Sequence, residues 1–389
     1  MARTKSAISL VVLAALAPWL YDRYIGLSTI VVNRPGKLLH VNGFKGYEVK
    51  FADRIRNCED VVLEEELGVA ILSCDPGRDR WNTVMGAFHP PSTTHPEDNN
   101  GAIWIYDYST SQALTKLSIS NAPTLNSDFH PLGIALDPKS STLYIVNHAR
   151  SGSCIEILHL DLPARTATHV RSLTHPLLHA PNAIEIFGNG KLYVSNDHYI
   201  RAAVSPLLSK IETFSGAPGG SVVYIDTNDM DASKIVARVP FANGIARLND
   251  TTLVVASSSK PGLYFYSISP DLQSLELKNV VRTPAGADNL SIDSNSKILI
   301  AGHPFAPTLM HVAEGRWDCD EKGTQEQKAK CGCWAPSWVG EWSEEGGLRT
   351  VLRDGGEKVC SSSTAVRDGE RGVGFVSMLY GRGVVVFRE

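Results

Sequence analysis

One pattern recurs along this chain and limits what it can become. The stretches "PLGIALDPKSSTLYIVNH" from Pro131, "PNAIEIFGNGKLYVSNDH" from Pro181, "ANGIARLNDTTLVVASSS" from Ala242 and "DNLSIDSNSKILIAGHP" from Asp288 share one design. Each opens on a small or polar residue and alternates as a strand. It then turns on Gly, Asn, Asp or Ser and returns as a β-branched strand, which describes a β-hairpin. Two looser copies, "CEDVVLEEELGVAILSCD" from Cys58 and "SSTAVRDGERGVGFVSML" from Ser362, bring the set to six. A period-2 segment follows each hairpin: "GAIWIYDYS", "SCIEILHLDL", "GSVVYIDT", "GLYFYSIS", "PTLMHVAEG" and "RGVVVFRE". Repeats of this kind predict an all-β, six-bladed β-propeller over residues 26–389.

Several other classes find no support. No G-x-G-x-x-G or Walker loop is present, no G-x-S-x-G elbow, and no long amphipathic helical pattern between Cys58 and Glu389. A net charge of -4 with a pI near 6.3, and no basic stripe, excludes nucleic acid as the main partner. Small molecules or proteins remain.

The N-terminus has a different character. Arg3 and Lys5 precede an apolar run from Ala7 to Tyr21, with Ala15 and Ala17 as candidate cleavage-site residues. These 15 residues fall short of the roughly 20 needed for a straight membrane span. Residues 1–25 therefore read as a signal peptide or signal anchor heading a hydrophobic helix, with possible membrane attachment and the propeller in the secretory pathway. Seven cysteines suit an oxidising compartment, and the odd number leaves at least one thiol unpaired. Cys319, Cys331 and Cys333 sit in a polar insertion that a disulfide would staple, and Asn249-Asp250-Thr251 is a glycosylation sequon.

In a propeller the first strand of every blade lines the central channel, so residues far apart in sequence converge on one axis. The leading residues are Glu59 with Asp60, Leu132, Asn182, Asn243, Asp288 with Asn289, and Ser363 with Thr364. Oxygen ligands without Cys or His suit a hard cation, and several protein ligands at once suit calcium over magnesium. Strand-end turns also favour Asn and Asp, so any single residue of the set is ambiguous.

The motifs "NCEDVVL", "LYIVNHA", "LYVSNDHY", "FANGIARL", "ADNLSID" and "AGHP" resemble those of the paraoxonase/arylesterase family, loosely from Cys58 to Glu389. The resemblance implies a calcium-dependent six-bladed propeller that hydrolyses lactones or aryl esters, with a retained N-terminal hydrophobic segment. It implies a catalytic Ca2+ held by Glu59, Asn182, Asn243, Asp288 and Asn289, and a second, structural Ca2+ held by Asp60 and the Ile134 carbonyl. The third ligand position of that second site reads Ala183. His148 matches one member of the family's histidine pair and becomes the expected base, with Glu59 as an alternative water-holding group. Leu132 replaces the other histidine, and His130 lies two residues before it. The final "VVVFRE" lacks the family's C-terminal cysteine, so Cys58 and Cys360, heading adjoining blades, are the expected substitute pair. His198 and His303 are expected as hydrogen-bonding struts, and the loops Gly77–Asn100 and Ala203–Gly220 as determinants of selectivity. A metal-free propeller of the strictosidine-synthase type and a non-catalytic binding scaffold are the rival readings; the sequence leaves oligomeric state open.

Overall fold

The computed structural model describes residues 2–122 and 124–389, without the side chains of residues 2–13 and 15. Six radial blades form the expected propeller, blades one and six joined in one eight-stranded sheet. Their inner strands are Arg56–Glu64, Pro131–Asp137, Pro181–Gly188, Ala242–Asn249, Gly286–Ile292 and Ser362–Asp368, blades one to six in order. Each inner strand pairs antiparallel with the next strand of its own hairpin. The ring closes by combining both parts of the chain. Gly46–Lys50 adds the outermost strand of blade six against Val384–Arg388, and Met378 pairs with Cys58 between blades six and one.

Blades pack face to face through apolar residues that alternate along their strands. Between blades one and two, Ile71 and Ile103 meet Ile134, Leu143 and Ile145, all but the third essentially inaccessible to solvent. Between four and five, Val254 and Leu263 meet Ile298, Ile300 and Trp338.

Two expectations about elements are corrected. The segment "PTLMHVAEG" is helical, because Pro307 sits in the first turn and Leu309, Val312 and Ala313 form a buried helical face. The third strand of blade five is instead Ser337–Ser343, reached after the polar insertion. The loop from Ala203 to Gly220 also holds a helix, Pro206–Ser215. Ser205 caps its start and Gly216, at φ 65°, ends it.

The N-terminal helix, α1 (Ala2–Val32), extends past residue 25 and lies against the propeller. Buried Arg23 donates to the Ser259 carbonyl at 3.0 Å, and Asn33 donates to that of Pro284 at 2.6 Å. Asp22 pairs with Arg282 and Lys260. Among the described residues no helix is long and apolar enough to cross a membrane. The expectations resting on Arg3, Lys5 and Ala15 concern side chains outside those described.

The disulfide expectation is also corrected. Cys58 bonds to Cys74, its register partner across the first hairpin of blade one, and Cys360 bonds to Cys333. Each has a partner nearer than the other blade's cysteine. Cys319–Cys331 staples the insertion as expected. The remaining thiol, Cys154, is buried and donates to Glu156 Oε1 at 3.2 Å; burial and that carboxylate both raise its pKa. We expect one maleimide-reactive thiol per unreduced chain, at Cys154 and only after unfolding. Labelling of Cys58 or Cys360 under those conditions would contradict the pairing.

Candidate active site

Every inner strand breaks register where its leading residue stands, polar in every blade but the second, where it is Leu132. The shifts fall between Cys58 and Asp60, Pro131 and Ile134, Pro181 and Ile184, Ala242 and Ile245, Ala287 and Leu290, and Ser362 and Ala365. A bulge leaves residues unpaired and redirects their side chains. Here the residues released are the oxygen-bearing set. Adjacent bulges pass so closely that glycine is needed beside them. A Cβ on Gly133 would stand 2.2 Å from the Asn182 carbonyl oxygen, and one on Gly244 would stand 2.6 Å from the Asn289 Cα.

The bulges bring Glu59, Asn182, Asn243, Asp288 and Asn289 together, all at most 5% exposed. Asn289 donates to Glu59 Oε1 at 2.8 Å and to Thr364 Oγ1 at 3.0 Å, while Asn243 donates to Ser258 Oγ at 3.0 Å. With these donors spent, four buried oxygens of this set have no hydrogen-bond partner among the described residues: Glu59 Oε2, Asn182 Oδ1, Asn243 Oδ1 and Asn289 Oδ1. Orphaned acceptors of this kind are costly, and four converging on one axis form a cradle for a cation. Burial, then the charges of Asp60 and Asp288, hold the Glu59 carboxyl well above its ordinary pKa. The residues therefore fit a hard divalent ion.

Asp60 is differently placed. Its Oδ2 accepts from the Ile134 amide at 2.9 Å, and its Oδ1 accepts from Val61 N and Thr364 Oγ1 at 2.8 Å each. Asp60 and Ile134 thus meet through an N–H, no Asp60 oxygen is orphaned, and Ala183 offers no oxygen ligand from its side chain. Burial pushes the Asp60 carboxyl up to about 6 despite these donors.

A cavity of about 220 Å³ stands over the cradle. Its floor is Glu59, Asn182, Asn243 and Asp288, with Arg78 and Leu132 beside them; its walls come from α1 (Leu27, Ile30), Pro206–Ser215 (α2) and Ala306–Gly315 (α3). Most of that wall is apolar, as a small-molecule site requires.

The histidines separate by geometry. His148 is buried outside the cavity lining, with Nε2 2.6 Å from the Pro181 carbonyl and Nδ1 2.5 Å from Thr83 Oγ1. A carbonyl only accepts, so Nε2 carries the proton and the hydroxyl donates to Nδ1; burial lowers the pKa further. Both nitrogens are used, and the structure does not bring His148 to the site. His130 pairs with Asp75 at 3.0 Å, also away from the cavity. His198 lines it, but its nitrogens meet Asp197 at 2.9 Å and Thr213 at 2.6 Å. Burial depresses its pKa, and the Asp197 hydrogen bond and charge outweigh burial and raise it. His303 also lines the cavity, and of the two lining histidines it alone has a ring nitrogen without a hydrogen-bond partner among the described residues. Its Nε2 lies 2.8 Å from Asp288 Oδ2, whereas Nδ1 has no partner. The sequence signals for it were its position at the end of the second strand of blade five and its place in the AGHP motif.

The arylesterase family model matches residues 84–316. This chain belongs to the arylesterase family. It is 29% identical over 233 residues to serum paraoxonase/lactonase 3 of Oryctolagus cuniculus, covering 58% of this chain and 64% of the relative. It is likewise 29% identical over 232 residues to serum paraoxonase/arylesterase 2 of Homo sapiens, covering 58% and 63%. The chain thus spans less than two thirds of the length of these curated relatives. Among solved structures, a luciferin-regenerating enzyme superposes with a TM-score of 0.52 at 13% identity, covering 88% of this chain and 95% of that one. A gluconolactonase of Xanthomonas campestris gives 0.50 at 13% identity, covering 92% of each. These likenesses concern the fold.

Proposed function

We propose that this arylesterase-family chain is a calcium-dependent hydrolase of lactones or aryl esters. The four orphaned oxygens beside Asp288, under an apolar cavity, carry the reading. Glu59, Asn182, Asn243, Asp288 and Asn289 would hold the ion, and the two carboxylates would balance its charge. Calcium, when bound, supplies a Lewis acid for a carbonyl oxygen. The chain's own groups do the rest. The apolar walls exclude bulk water and hold the acyl and leaving groups. Asp288 accepts from His303 Nε2–H, which fixes the tautomer and leaves the buried, unpartnered Nδ1 as the group that would take a proton from an attacking water. His148 and His198 serve as struts.

His303→Gln is expected to lower kcat by about a hundredfold and to leave calcium binding within a few-fold. An unchanged kcat would return the base role to Glu59. The primary test is turnover of a panel of lactones and aryl esters, with calcium and after chelation, while circular dichroism follows the fold. Activity that is lost on chelation and restored with calcium supports the proposal; a folded, calcium-loaded chain without turnover argues for a binding scaffold.

The three disulfides are consistent with the secretory pathway. We place the propeller on its lumenal or extracellular side, where exposed Asn249 could carry a glycan. Exposed Trp19, Leu20 and Tyr24 on α1, with Leu207 and Ile211 on α2, support attachment of the cavity mouth to a lipid surface.

A further inference from the structure

Arg78 is a buried cation that forms no ion pair among the described residues, although its charge reaches Glu59 on the same floor. It is 4% exposed, lines the cavity floor, and its side chain makes a single hydrogen bond, from Nη2 to the Pro131 carbonyl at 2.8 Å. Its Nε is buried without a partner, and no carboxylate pairs with it among the described residues. Burying an unpaired guanidinium is costly, so such a group signals a partner supplied from outside.

The neighbouring acids are committed elsewhere. Asp79, next in sequence, is held by Arg56 at 3.1 Å, Arg316 at 2.9 Å and Asn57 at 3.0 Å. Asp75 holds His130 through one oxygen; its other oxygen is buried beside Gly77 and forms no hydrogen bond with Arg78 or any other described residue. Asp60 lines the opposite end of the channel. On the cavity floor only Glu59 and Asp288 are acidic, and a divalent ion would cancel both. Arg78 would then leave the loaded floor with one net positive charge, beside apolar Leu132.

We propose that Arg78 anchors a carboxylate on the substrate, so that the preferred class is a lactone or ester bearing a second, anionic group. This inference rests on the hydrolase reading for its chemistry and on Arg78 alone for its anion. A guanidinium offers a carboxylate a charge-assisted hydrogen bond that a neutral isostere cannot match.

The test compares 5-oxotetrahydrofuran-2-carboxylate with its carboxamide in the calcium-loaded protein, alongside calorimetric binding of glutarate and glutaramide. The wild type is expected to favour the carboxylate lactone by about 10- to 100-fold in kcat/KM, chiefly through KM, and to bind glutarate over glutaramide. Arg78→Gln is expected to erase both preferences, and Arg78→Lys to restore part of them. A wild type without either preference overturns the proposal whatever the variants do, as does Arg78→Gln that retains them. Turnover of neither lactone, with glutarate held through Arg78, defeats the hydrolase reading and leaves the anion site standing.

Discussion

Asp288→Ala is expected to cut lactone or aryl-ester turnover by about a thousandfold, the equivalent of several kcal/mol of charge stabilisation at about 1.36 kcal/mol per decade. The side chain has two roles in the proposed site. It supplies one of the two charged ligands, and its Oδ2 fixes His303 at 2.8 Å. The substitution should not unfold the propeller. Burial, then the charges of Asp60 and Asp288, hold the Glu59 carboxyl well above its ordinary pKa, so in the metal-free chain the acidic groups of the buried cradle oppose one another's ionisation. Removing one relieves that repulsion. The metal-free variant should therefore melt no lower than the metal-free wild type, while the rise in Tm on adding calcium shrinks. Thermal melts with and without calcium, beside initial rates, separate this from simple misfolding. A variant that keeps its activity and its calcium-dependent Tm shift would sink the metal assignment.

The blades were legible because a propeller repeats one periodic unit. All six hairpins stand where alternation and turn residues placed them. The inference failed where the chain leaves that unit. "PTLMHVAEG" passes for a strand by its apolar alternation, yet Pro307 in the first turn and the Leu309, Val312, Ala313 spacing are helix signals. Ser205-Pro206 and Gly216 similarly bracket α2, inside a segment read only as a loop. The site was half legible. Repeat position picked out Glu59, Asn182, Asn243, Asp288 and Asn289, but bulges carry no periodic signature, so why these side chains converge was hidden. His148 was chosen by family likeness, whereas ring accessibility depends on Thr83 and Pro181, which come from other parts of the chain. Arg78 was invisible for the same reason: an unpaired charge is a fact of packing, and its sequence neighbour Asp79 suggests a partner that is already taken. Cys58 and Cys360 adjoin through ring closure, but register inside one hairpin gave Cys58 a nearer partner.

Arg367→Met should be the most destabilising single change considered, because this side chain joins blades five and six below the site. Arg367, 5% exposed near the end of the inner strand of blade six, donates Nε to Asp293 Oδ2 at 3.0 Å and Nη1 to Glu341 Oε2 at 2.9 Å, and it also meets Glu389. Asp293 and Glu341 belong to blade five and are 6% and 4% exposed. Met fills similar volume but leaves two buried carboxylates facing an apolar chain, and breaking one partner of such a network costs about 3–5 kcal/mol. For a chain of this length that corresponds to a fall in Tm of about 5 °C. The pH dependence identifies the cause. Burial raises the Glu341 pKa, but Arg349, Arg367 and Lys297 outweigh it and hold the carboxyl down to about 2. A depressed carboxyl stabilises the fold fully above its unfolded pKa near 4.5, and that contribution is lost as pH falls toward about 2. The wild type should lose stability steeply across that window. In Arg367→Met the Glu341 carboxyl rises, so the gap between variant and wild type should narrow as pH falls. A gap that stays constant from pH 7 to 3 would mean that lost packing, not the charge network, links the two blades.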